Sequence, residues 1–137
     1  FQKFWAILPE SHRYNRLRSR LEWTYITPDC STQGFEGIRA QDILPLLLVN
    51  FYPGRFLTVG GLTDILLDRA FGHNFDPQND FDRNFIDLVH MVNEKFLEAG
   101  IITPTQLLAY FHVEPSNVIT WKDIGPERSI RWPYGRG

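Results

Sequence analysis

The 137-residue chain sets 14 Lys/Arg against 16 Asp/Glu, a formal charge of −2, with 43% hydrophobic and 15% aromatic residues. That composition fits one domain with a substantial core and excludes disorder through the middle of the chain. Its longest apolar run, Ile43 to Val49, contains Pro45 and falls far short of the roughly 20 residues of a membrane span, so no membrane association is expected.

The chain opens on Phe1 with no signal-peptide pattern and is expected to be either a trimmed chain or an excised domain of a longer protein. Cys30 is the single cysteine. It forbids an internal disulfide and points to a reducing compartment, cytosol or nucleus. Charge is uneven: residues 1–23 hold five Lys/Arg against two acids, residues 24–120 five against twelve, and residues 121–137 four against two. Both ends are basic and the middle is acidic. Eleven of the fourteen basic residues are arginine, and arginine with aromatics is the pairing enriched where surfaces meet other macromolecules.

After a short apolar run, Phe4 to Leu8, stopped by Pro9, the spacing of Tyr14, Leu17, Leu21 and Tyr25 predicts a helix to about Trp23. Arg13, Arg16 and Arg20 would line another side of it. Leu21 to Ile26 also alternates like a strand. Residues 1–28 therefore read as a basic N-terminal arm, and residues 29–37 as a loop by composition. A helical core is expected over residues 38–116. Asp42 reads as the N-cap of a helix to about Tyr52, with Pro45 in its first turn and a continuous apolar face covered on most sides. Pro53-Gly54 reads as a tight turn. Thr58 then caps a third helix to Phe71 that buries Val59, Leu62, Ile65 and Leu66.

The clearest element runs from Asp80, read as N-cap, to Ala99. Phe81, Phe85, Leu88, Val89, Val92 and Phe96 fall on one stripe, with Asp87, His90, Glu94 and Glu98 opposite. Gly100 stands where a left-handed residue ends a helix. Thr103-Pro104-Thr105-Gln106 has the form of a capping box and predicts a short helix to about Phe111. Residues 117–137 change character: Val118 to Ile124 and Ser129 to Tyr134 read as a β-hairpin and tail across Gly125 to Arg128. The expected fold class is thus mainly α: four to five helices forming a compact helical domain with a short C-terminal β-hairpin, an element order shared with winged-helix domains.

Asp76 to Asp87 places oxygen-bearing side chains at the spacing of a calcium loop. Phe81 stands where the sharp turn needs glycine, however, and Asp82 and Asp87 fall on the helix, which favours a plain lead-in loop. Asp87, His90 and Glu94 share a spacing open to a metal or an acid–base pair, but lie opposite the buried stripe. No catalytic residue, metal ligand or cofactor is assigned, and His73 has nothing in sequence to join it to Cys30. The function expected is a non-catalytic macromolecular interaction module. It would contact another protein or an acidic surface through Arg13, Arg16, Arg20, Trp23, Arg128, Arg131 and Trp132. The alternative is a winged-helix-like domain binding DNA or RNA through the same basic arms.

Overall fold

The computed structural model describes residues 1–25 and 39–130. The expected loop at 29–37, Cys30, Arg131, Trp132 and most of the second hairpin strand lie outside the described residues. Of the described residues, 44% are helical and 18% lie in strands of two sheets. The fold is an α/β mix, which overturns the mainly-α expectation and the winged-helix order with it. No described helix is long and apolar enough to cross a membrane.

The chain divides into two compact units, each drawn from two separated stretches. The first comprises Phe1–Thr27 and Gly60–Lys95. It opens with helix α1 (Gln2–Ile7), which ends where Leu8 turns extended ahead of Pro9. A 3-10 turn at Glu10–Arg13 leads into a hairpin of β1 (Tyr14–Asn15) and β2 (Arg20–Leu21), paired antiparallel. This replaces the helix expected to Trp23, and the row of Arg13, Arg16 and Arg20 on one helical face does not exist. The reason lies at Asn15. Its buried side chain accepts the Arg18 N–H at 3.0 Å, and Ser19 adopts φ 51°, so the backbone turns where a helix would continue. The β-formers after Arg20 then pair back, and Glu22 N–H donates to Arg13 O.

Positive φ at Gly60 and Gly61 carries the chain into α3 (Leu62–Leu67). Asp68 stops that helix, because its side chain accepts the N–H groups of Ala70 and Phe71 at 2.8 and 3.0 Å. A 3-10 turn at Gly72–Asn74 follows, then α4 (Asp80–Glu98). Its cap is Asn79 rather than the expected Asp80: Asn79 Oδ1 accepts the N–H groups of Phe81 and Asp82. The core of this unit is Trp5, Leu8, Leu66, Ala70, Phe71, Phe85 and Val89. Trp5 is fully buried, stacks edge-on to Phe71 and donates its indole N–H to Glu22 O at 3.0 Å.

The second unit comprises Pro28–Val59 and Phe96–Gly137. Helix α2 (Ala40–Asn50) starts from Arg39 in a left-handed conformation, with Asp42 in its first turn and paired to Arg39 at 2.7 Å rather than capping. Pro45 therefore sits inside the helix and deprives the Gln41 carbonyl of its usual partner. Although covering was expected, α2 buries none of its residues, and Ile43, Leu46 and Val49 form an exposed row.

Strand β3 (Tyr52–Val59) takes the place of the Pro53-Gly54 turn and of the Thr58 cap. It is the central strand of a three-stranded sheet, antiparallel to β4 (Gln106–His112) and parallel to the short β5 (Ile119–Thr120). Alternation along β3 buries Phe56 and Thr58 on one face and leaves Arg55, Leu57 and Val59 outward. The capping box at Thr103 to Gln106 thus precedes a strand and not a helix, because pairing with β3 over seven residues outweighs a local cap. Before it, α4 ends as expected at Gly100 (φ 70°): Gly100 N–H reaches Leu97 O and Ile101 N–H reaches Phe96 O. The C-terminal hairpin is absent from the described residues. The expected turn is a 3-10 turn at Glu127–Ser129, and β5 pairs with β3 instead.

Candidate functional site

In the first unit, an open cleft of about 560 Å³ is lined by Arg16 and Leu17 of the β1–β2 loop and by Leu67, Asp68, Arg69, Gly72 and His73 after α3. Two local turns build it. The Asn15 turn projects Arg16 and Leu17, and the Arg16 N–H is tied to Ala70 O at 2.9 Å, which fixes the loop against the end of α3. The Asp68 turn presents Arg69 and holds Gly72 against the backbone of Leu67, where an added Cβ would meet the Leu67 carbonyl oxygen at 3.0 Å. Arg16, Arg69 and His73 are exposed, and neither guanidinium has an ion-pair partner among the described residues. Asp68, the carboxylate of the lining, directs one oxygen to two backbone N–H groups. The cleft accordingly offers two arginines beside two apolar side chains, Leu17 and Leu67.

The other sequence-predicted contact residues divide into two groups. Arg13 stacks over Trp23 with its guanidinium carbon 5.4 Å from the ring centroid, and Trp23 remains 64% exposed. Arg20 is engaged by the buried Glu22 carboxylate at 3.1 Å, and Arg18 approaches the same oxygen at 3.6 Å. Arg128 belongs to the second unit and donates to Leu97 O at 2.6 Å and Glu98 O at 2.9 Å, closing the end of α4. A second cleft, about 530 Å³, runs past Arg128 from Leu48 and Val118 to Glu127.

Sequence reasoning missed Arg69, Leu17 and Leu67 as cleft residues. The available signal was Asp68, a side chain able to stop a helix two residues before Ala70, which moves Arg69 off the helix surface.

Ser11, His12 and Asp82 form a linked row: Ser11 Oγ lies 3.1 Å from His12 Nδ1, and His12 Nε2 donates to Asp82 Oδ1 at 2.6 Å. The other Asp82 oxygen accepts the Asp76 N–H at 2.8 Å. Neither cleft is lined by these residues. His12 is also edge-on to Phe75 and Phe81, so the row docks the N-terminal turn onto the start of α4. The remaining loop oxygens act locally as well, since Asp76 accepts the Gln78 N–H and Asp80 pairs with Arg83. Among the described residues, no three His, Cys, Asp or Glu side chains are grouped to hold a metal ion. Comparison with protein-family models, curated proteins and solved structures finds no match to the chain.

Proposed function

We propose that the chain is a non-catalytic interaction module that grips an acidic segment of another protein at the Arg16–Arg69 cleft. The observation that carries this reading is the pair of exposed guanidinium groups, free of carboxylate partners among the described residues, that line one cleft together with Leu17 and Leu67. A carboxylate between two arginines makes charge-assisted, directional bonds, while an adjoining apolar side chain covers the leucines. Trp23, backed by Arg13, supplies a flat contact of the type that anchors interfaces. The single Cys30 supports a reducing compartment, cytosol or nucleus, for this activity.

The nucleic-acid alternative draws less support, because Arg18 and Arg20 are engaged by Glu22 and Arg128 by helix carbonyls. Displayed-peptide selection on the immobilised chain tests the proposal. An acidic–apolar consensus is expected on the parent, with affinity lowered about tenfold or more by Arg16→Ser with Arg69→Ser, the scale of one lost charge-assisted bond. Equal recovery by both proteins, or salt-steep binding of random duplex DNA in its place, would reject it.

A further inference from the structure

The Arg16–Arg69 cleft holds more hydrogen-bond donors than one carboxylate can use. Its lining brings together the guanidinium groups of Arg16 and Arg69 and the imidazole of His73, all exposed. None of the three is bonded to an acceptor among the described residues. The backbone N–H groups of Leu17 and Arg69, in the two turns that build the cleft, donate to no acceptor there either. Of the first unit, all residues but Ile26 and Thr27 are described. Neither of those two carries a carboxylate, so no acid of this unit is left to neutralise the arginines. Asp68, the acid of the lining, already gives Oδ1 to the N–H groups of Ala70 and Phe71.

Resting on the reading of this cleft as an anion grip, we propose that the group it takes is a phosphorylated tyrosine of the partner protein. The donor set selects phosphate over carboxylate. Each guanidinium presents a planar fork of parallel N–H groups, and a carboxylate, with two oxygens in one plane, matches one such fork. A phosphate monoester carries about −1.5 to −2 charge at neutral pH and three terminal oxygens in a tetrahedral array, enough for two forks and a ring N–H. The leucines select tyrosine. Leu17 is 67% exposed and Leu67 52%, and both line the cleft with the arginines. Phosphoserine holds its phosphate one carbon from the backbone and leaves those side chains in water. Phosphotyrosine interposes a phenyl ring, so a single side chain meets both the arginines and the leucines. The cleft volume of about 560 Å³ is that of sites which take small organic groups.

Fluorescence-polarisation titration of the whole 137-residue chain tests this, with circular dichroism as a check of folding. The probes are labelled peptides Glu-Glu-X-Leu-Leu in which X is phosphotyrosine, tyrosine, phosphoserine or glutamate. The phosphotyrosine peptide is expected to bind about tenfold or more tighter than the other three. Arg16→Ser with Arg69→Ser is expected to weaken all four. Arg16→Lys with Arg69→Lys keeps the charges and removes the forks, so it should retain the glutamate peptide and erase most of the phosphotyrosine advantage. Leu17→Ser with Leu67→Ser should bring phosphotyrosine down to the level of phosphoserine. Equal binding of the glutamate and phosphotyrosine peptides, both lost in the double serine variant at the arginines, would overturn the phosphate assignment and leave the acidic-segment reading standing. Equal binding of phosphoserine and phosphotyrosine would overturn the choice of tyrosine. Binding by none of the four peptides, or binding indifferent to the arginine changes, would overturn both this inference and the reading it rests on.

Discussion

The side chain of Asn93, 1% exposed on α4, accepts the Leu62 N–H at 2.7 Å and so caps α3 from a different helix. The first N–H groups of a helix have no intrahelical partner, and here one is satisfied across the core of the first unit. Asn93→Leu, close in volume, leaves that N–H buried and unpaired. An expected loss of about 1–3 kcal/mol should appear in urea unfolding, whereas Asn93→Asp, which keeps the acceptor oxygen, should perturb α3 less.

His12 and Asp82 join the N-terminal turn to the first turn of α4. Removing either partner strands the other in a largely buried position. A double-mutant cycle with His12→Ala and Asp82→Ala is expected to give a coupling of about 1–3 kcal/mol. Asp82→Ala should be the worse single change, because it also releases the Asp76 N–H. Additive effects in the cycle would show that the 2.6 Å bond contributes no coupling.

Arg128, expected from sequence to touch a partner, closes the C-terminal end of α4 instead. Arg128→Met keeps the stem and removes the guanidinium. Thermal stability should fall by about 1–2 kcal/mol through the freed carbonyls, while peptide capture at the Arg16–Arg69 cleft stays unchanged. Loss of capture with stability intact would reverse this assignment.

Gly54 lies at the irregularity in the β3–β4 pairing, where an added Cβ would run into the His112 and Tyr110 side chains of β4. Gly54→Ala is expected to cost about 1–3 kcal/mol, the usual scale of overpacking. Gly100→Ala, at φ 70° with open surroundings apart from Arg128, should cost about 1 kcal/mol from backbone conformation. Chemical denaturation of the two variants separates steric from conformational loss.

What could be read from sequence follows from how local each determinant is. Helix α4 was legible nearly to the residue because its stripe, its acidic first turn and its left-handed Gly100 are all encoded within it. Even there Asn93 was invisible as a cap, since its partner is Leu62, and Phe81 and Leu88 are more exposed than the stripe implies. Residues 104–111 carry sound helix-start chemistry, and only the distant β3 makes them a strand. Pro53-Gly54 likewise reads as a turn until β4 is present to pair with it. Leu21 to Ile26 alternates like a strand while Leu21 and Tyr25 also fit the helical spacing of Tyr14 and Leu17, and of the described part of that stretch Leu21 alone lies in a strand, β2. The cleft was legible on one side alone: Arg16 was a candidate, and Arg69 joins it through two turns whose meeting is a tertiary fact.

The discontinuous make-up of each unit has a consequence for how the protein is made. A ribosome delivers residues in order, and strand β3 emerges long before β4, which follows the whole of α4. Until then the nascent chain carries a central strand with both sides open, beside an α2 whose Ile43, Leu46 and Val49 find no cover within the described residues. The first unit can close sooner, once Lys95 has left the ribosome, whereas the second still awaits β4. A chain at that stage has all residues of one unit and lacks the strand that pairs with β3 along its whole length. Chains stalled at that stage are the ones expected to need chaperone shelter.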